Sequence, residues 1–301
     1  MVKSRLRLIM LLTISIILIF TQGFTKVSKS FLWKTQHNKA TVYFFGSVHI
    51  GKSNMYPLNP VIEKAFNQSE VLVVEVNIEK LNMFERLKLT QKAMYPENDS
   101  IENHVSKETY ELTKSTLSDL GINISTMKKF KPWFLAVTVS IIKMQKIGFS
   151  TSHGVDRSIL LKAFDKKNNG RKMDILQLET AEEQMNIFNQ FSDKLQEKFL
   201  YYSIKDLNSL EDQMNQLIKS WRTGDIKTFE SMFMKNTINH KELKPIYDKL
   251  LIERNIKMTK KIESYLKTNR TYFIVVGAGH LVGDKSIIDL LRKKGYVVKQ
   301  L

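Results

Sequence analysis

Tyr272-Phe273-Ile274-Val275-Val276-Gly277-Ala278-Gly279-His280 decides how this chain is read. Tyr272–Val276 is an unbroken apolar run rich in β-branched residues, the pattern of a strand covered on both faces. The glycines that follow let the backbone turn tightly and approach a ligand, and a histidine then projects from the loop. Toward the N-terminus, Phe44-Phe45-Gly46-Ser47-Val48-His49-Ile50-Gly51 has the same form, a strand followed by Gly-x-x-His. In open α/β sheets, ligands bind beyond the carboxyl ends of the strands. Two such loops therefore put two imidazoles on one sheet edge, where they serve as metal ligands or general bases.

Two acids sit in similar places. Val71–Val76 is another continuous apolar run, and Glu75 interrupts its end. A carboxylate there is costly unless it is paired or meets a cation. Leu176-Gln177-Leu178-Glu179-Thr180 puts Glu179 at a further strand end, although Thr180-x-x-Glu183 also reads as a capping box, which would make Glu179 merely the start of a helix.

The rest of the pattern predicts a frame around these loops. Phe31–Lys34 and Thr41–Phe45 read as a hairpin closed by Gln36–Lys39, Pro60–Gln68 as a helix, Lys172–Leu178 as a strand and Tyr296–Lys299 as a closing strand. Residues 79–148, 154–167 and 180–267 are helical in pattern, with breaks near Ser192, Gly224 and Pro245, and Gly283–Lys294 reads as a last helix. The expected class is α/β or α+β: a central mixed sheet with two long helical insertions, which would cover one side of it. The chain shows no solenoid repeat, P-loop, dinucleotide fingerprint or Gly-x-Ser-x-Gly elbow.

Composition narrows the chemistry. The 301 residues include no cysteine, which excludes disulfides, zinc–thiolate sites, thiol nucleophiles and lipoprotein anchoring. The net charge is +17; residues 1–30 supply five of those charges and the remainder keeps about twelve. Solvated lysines explain such an excess, and contact with an anionic surface is its functional reading. No nucleic-acid-binding motif accompanies it, so no nucleic-acid partner is expected.

Met1–Arg7 is short and basic, and Leu8–Phe20 is apolar but for Thr13 and Ser15. A run of that length suits the core of a signal peptide better than a full span of about 20 residues. Residues 1–30 are thus expected to be a signal peptide or membrane anchor, and residues 31–301 an exported body that is periplasmic, otherwise extracytoplasmic, or held at the membrane. Trp133–Ile142 is too short to span and reads as a buried helix.

Gly46-Ser47-Val48-His49, Val74-Glu75-Val76, Lys131-Pro132-Trp133, Gly154-Val155-Asp156, Leu178-Glu179-Thr180 with Glu183-Gln184, Trp221-x-x-Gly224-Asp225, Arg254-Asn255 and Gly277-Ala278-Gly279-His280 occur in this order. The set resembles the TraB/PrgY/GumN family, over roughly Trp33 to Gln300. That family looks related to the animal Tiki proteins, membrane-tethered metalloproteases that depend on manganese or cobalt, and more remotely to erythromycin esterase and the haem-binding ChaN proteins.

The resemblance implies a metal-dependent hydrolase, with a peptidase among the options, acting on a peptide or small molecule outside the cytoplasm. His49, Glu75 and His280 would hold the divalent cation, Glu179 or a spare imidazole would take a proton, and Arg254 would stabilise an oxyanion or hold a substrate carboxylate. Gly46, Asp156, Asn255 and Gly277 form a second tier. The family's Trp two positions beyond the Arg-Asn pair is missing here, and Ser47 stands where Thr is common. The alternatives are a peptide- or haem-sequestering protein and a metal-free, esterase-like hydrolase. His37, His104, His153 and His240 are read as solvated.

Overall fold

The computed structural model describes residues 29–168, 170 and 173–301; the expected signal or anchor segment falls mostly outside them. β1 (Leu32–His37) and β2 (Ala40–Ser47) form the expected hairpin, turning at Asn38, whose φ of 50° is one that asparagine tolerates. β2 pairs in parallel with β5 (Thr271–Gly277), β5 with β3 (Val71–Val74), and β3 with β4 (Asp174–Gln177). β6 (Val298–Gln300) runs antiparallel beside β1, giving a mixed six-stranded sheet in the order β4-β3-β5-β2-β1-β6. The central strands are apolar at nearly every position because both of their faces are covered: Val71, Leu72, Val73, Phe44, Phe45, Phe273 and Ile274 are all fully buried.

The crossover from β2 to β3 carries α1 (Pro60–Asn67), capped by the Asn59 side chain and packing Ile62, Ala65 and Phe66 inward. Between β3 and β4 lie α2 (Met83–Lys92), α3 (Lys107–Asp119), α4 (Pro132–Lys146) and α5 (Val155–Asn168). Between β4 and β5 lie α6 (Ala181–Asn189), α7 (Asp193–Lys205), α8 (Leu210–Arg222) and α9 (Ile226–Asn239). α10 (Lys244–Tyr247) then continues through a π-turn, Asp248–Glu253, into α11 (Arg254–Leu266). α12 (Ile287–Lys293) leads to β6.

The insertions do more than cover one side of the sheet. Ile159 and Leu160 of α5 and Met258 and Ile262 of α11 join the sheet's own core. Leu117 of α3, Leu135 and Val139 of α4, and Leu200 and Ile204 of α7 form a second core of their own. That second core stabilises a helical body independent of the sheet, and a cleft is left between the two. α4 is the buried helix expected around Trp133, and among the described residues no helix is long and apolar enough to cross a membrane.

Three boundaries differ from expectation. β3 ends at Val74, so Glu75 stands just beyond the strand rather than inside it. The helical stretch expected after the break at Pro245 becomes regular α-helix only at Arg254, after the π-turn. The last helix starts at Ile287, because Gly283 and Lys285 both adopt positive φ and Ser286 caps the helix instead.

Candidate active site

The four parallel strands β4, β3, β5 and β2 are neighbours, and each ends in an ionisable residue: Glu179, Glu75, His280 and His49, in that spatial order. Topology thus brings together residues more than 200 positions apart.

The loop after β2 is held rigidly. The Gly46 carbonyl accepts a hydrogen bond from the Trp221 indole at 2.7 Å, and the Val48 carbonyl accepts one from the Val155 amide at 2.9 Å. Gly51 exchanges backbone hydrogen bonds with Ser150. A side chain at Gly154 would meet the His49 carbonyl at 2.5 Å, so only glycine lets the start of α5 approach this loop so closely. At Gly46 a side chain would meet Phe31 and Ala278, which is where the two histidine loops touch.

Each imidazole is oriented through its Nδ1. His49 Nδ1 lies 3.1 Å from an Asp156 carboxylate oxygen. His280 Nδ1 lies 2.6 Å from Asn255 Oδ1, while the Asn255 amide NH2 donates to the Lys285 carbonyl at 2.9 Å. That second bond fixes the Asn255 oxygen as an acceptor, so His280 Nδ1 carries the proton and its Nε2 presents a lone pair. Nε2 faces Glu75 Oε1 at 3.7 Å. The His49 Nε2 atom belongs to the same small space: a Cβ added to Gly277 would lie 3.2 Å from it and 3.3 Å from Glu75 Oε1.

Glu75 is held by the Gly277 amide, by Arg254 Nη2 at 2.7 Å and by Gln184 at 3.3 Å. Arg254 also pairs with both oxygens of Glu179, at 2.9 and 3.2 Å from Nε, and donates from Nη1 to the Leu250 carbonyl. The guanidinium therefore ties two buried carboxylates together. Glu179 additionally accepts from Gln184 at 3.2 Å, so it stands behind the arginine with both oxygens engaged.

Ionisation follows from this setting. Burial would raise Glu75, but His280, His49 and Arg254 outweigh it and hold the carboxyl at about 2. Burial lowers His280 to about 4 despite Glu75, so it is neutral at physiological pH. For His49 burial again lowers, yet its bond to Asp156 and the charges of Asp156 and Glu75 prevail and raise it to about 9. Its side chain nevertheless remains 62% exposed, on the wall of the cleft.

The site opens into a cleft of about 670 Å³ between sheet and helical body, lined by Met144, Phe188, Phe199, Leu217 and Phe233 among other apolar residues. On the other side of His49 and Glu75 lies a smaller chamber of about 210 Å³, bounded by Ile78, Asp156 and Arg157.

His49, Glu75, His280, Arg254 and Gly277 thus converge on one space, with Asp156 and Asn255 directly behind the two imidazoles. Gln184 is a contributor that the sequence reading did not single out as a site residue, although Glu183-Gln184 stands among the motifs that carry the family resemblance. Among the described residues, no group of three or more His, Asp or Glu side chains is drawn close enough to hold a metal ion. The donor types nonetheless fit a cation: a Cβ added to Gly277 would lie 3.2 Å from His49 Nε2, 3.3 Å from Glu75 Oε1 and 3.7 Å from His280 Cδ2, so two imidazoles and a carboxylate line one space, with His49 giving up its proton on binding.

Two of the histidines read as solvated are instead partnered. His104 stacks on Tyr95 and bridges Asp99 and Asp193, and His240 stacks on Tyr202 beside Asp206.

A mixed α/β sheet whose parallel strands deliver a His–Glu–His set with an arginine clamp to their carboxyl edge defines the class of this protein. The chain belongs to the TraB/PrgY/gumN family, whose model matches residues 31–300. It is 24% identical to the uncharacterised protein YbaP of Escherichia coli, over 83% of this chain and 87% of that one. It is 23% identical to the metalloprotease TIKI homolog of Amphimedon queenslandica, over 90% of this chain, and 23% identical to metalloprotease TIKI1 of Xenopus tropicalis, over 89%. It spans 61% of the length of each of those two relatives. No solved structure matches the chain.

Proposed function

We propose that this protein is a metal-dependent hydrolase, acting outside the cytoplasm on peptides or on small molecules with an apolar part. The observation that carries the reading is the approach of His280 Nε2 to Glu75 Oε1, two acceptors facing each other at 3.7 Å with His49 Nε2 beside them. A cation between these groups would be stabilised by all three, in place of the proton that His49 carries at neutral pH.

His49, Glu75 and His280 would hold the ion, with manganese or cobalt the candidates that the family resemblance suggests. When bound, a divalent cation lowers the pKa of its water and polarises a scissile carbonyl. Asp156 and Asn255 turn the Nε2 atoms of His49 and His280 toward the site. Arg254 and the Gly277 amide keep Glu75 ionised and fixed. With its donors already committed to Glu75, Glu179 and Leu250, Arg254 serves better as a clamp than as an oxyanion donor, and Glu179 as its counter-ion rather than as the proton acceptor. The apolar cleft would bind the substrate's side chains, and an apolar N-terminal segment suits export.

A second reading rests on the His49–Asp156 pair. An imidazole steadied by a carboxylate on Nδ1 is also how a general base works without a metal.

The test is incubation of the full chain with a peptide library and manganese, followed by mass spectrometry. The proposal expects cleavage that disappears with chelator and in His49→Ala and His280→Ala. Cleavage that persists in strong chelator supports the metal-free reading, and retention of peptides without cleavage supports capture.

A further inference from the structure

We propose that α2 and the turn before it form a docking surface for an anionic lipid bilayer, which presents the carboxyl edge of the sheet to the membrane. α2 buries no residue. Met83 is 81% exposed, Phe84 74% and Leu87 55%, and Ile78 in the preceding turn is also exposed. Large apolar side chains standing out together like this mark an interaction surface rather than a solvated face. Helical spacing places Met83, Phe84 and Leu87 on one stripe, with Arg86 on one flank and Lys88 on the other. Lys80 lies in the adjoining turn. An apolar stripe edged by cations is the form of a helix lying in a lipid interface, where the cations meet headgroup phosphates.

Position argues the same way. Arg86 donates to the Ile78 and Leu81 carbonyls, which fastens the helix to the turn. Ile78 also bounds the small chamber beside His49 and Glu75, so the patch begins at the rim of the site. The chain enters the described structure at the same sheet edge: the Phe31 carbonyl accepts from Gly46 at the end of β2, and Lys29 packs against Gly224 close by. The apolar run Leu8–Phe20 is separated from Lys29 by eight residues, which span at most about 28 Å extended. If that run is retained as an anchor, it is tethered to the edge that carries the exposed helix. A second copy of the chain is the poorer occupant, because a net charge of +17 makes two copies repel.

The absence of cysteine allows a clean test on the full chain. Phe84→Cys creates a unique thiol for a polarity-sensitive fluorophore, and Lys39→Cys, in the β1–β2 turn at the opposite sheet edge, is the control. Each labelled protein is mixed with vesicles of phosphatidylcholine alone or with added phosphatidylglycerol, with and without a lipid-borne quencher. The proposal expects a blue shift and lipid quenching at position 84 with anionic vesicles, neither at position 39, and loss of both when Met83→Asp and Leu87→Asp are combined with the label. A position-84 label that stays aqueous while the chain is vesicle-bound overturns the proposal. So does a blue shift without vesicles that grows with protein concentration, which would assign the surface to a second copy or another protein.

Discussion

Arg254 Nη2 stands 2.7 Å from Glu75 and 2.8 Å from Glu179, so one guanidinium bridges two carboxylates at the ends of adjacent strands. All three side chains are nearly inaccessible to solvent. Arg254→Met leaves both acids unpaired in the interior, and removing one partner of a buried ion pair costs about 3–5 kcal/mol. Denaturant unfolding of the two proteins measures the difference. A loss below about 1 kcal/mol, the usual worth of an exposed pair, would mean that water reaches the cluster freely.

Gly277→Ala tests the space between the ligands. Gly277 has φ −52°, which any residue adopts, so the fold tolerates alanine. The new methyl carbon would nevertheless come within 3.2 Å of His49 Nε2 and 3.3 Å of Glu75 Oε1. Binding of manganese and hydrolysis are expected to fall sharply while the unfolding midpoint hardly moves. A variant that binds metal as well as the unaltered protein would put the ion elsewhere.

Asn255→Leu removes the acceptor that fixes the His280 tautomer. Groups that orient a ligating histidine typically change metal affinity by about 10–100-fold, and a loss of that size is expected in calorimetric titration with manganese. Unchanged affinity would show that His280 needs no help in presenting Nε2.

His104 supplies a pH dependence remote from the site. Burial lowers its pKa, but the Asp193 and Asp99 carboxylates outweigh burial and raise it. A raised histidine adds stability in full below its unfolded pKa of about 6.5 and loses it as pH rises through the folded value. The stability difference between the unaltered protein and His104→Gln should therefore be present in full below about pH 6.5 and shrink as pH rises past it. A difference that grows with pH would contradict the protonated bridge.

Much of the site was legible because its residues break local rules. Glycines after a fully buried strand, and a glutamate closing an apolar run, both cost stability and so stand out from the pattern. Asn255 and Arg254 were reached only through the family motif, since on a helix they look like ordinary polar positions. Gln184 stood in the same motif set but was given no role, because its contacts with Glu75 and Glu179 exist only once β3 and β4 lie side by side. The early part of the expected last helix was misread for the converse reason. Leu281, Val282 and Ile287 keep a helix-like spacing, while Gly283 and Lys285 hold positive φ and the run never closes into helix before Ser286. The partners of His104 and His240 come from distant segments or stack in three dimensions, which no local window reveals.

The central claim is that His49, Glu75 and His280 hold one divalent cation. Electron paramagnetic resonance of manganese titrated into the full chain reads bound ion directly, because binding removes the signal of the free ion. The account predicts one tight equivalent per chain, lost in His49→Ala and in His280→Ala while circular dichroism shows the fold intact. Tight binding undiminished in both variants would contradict it.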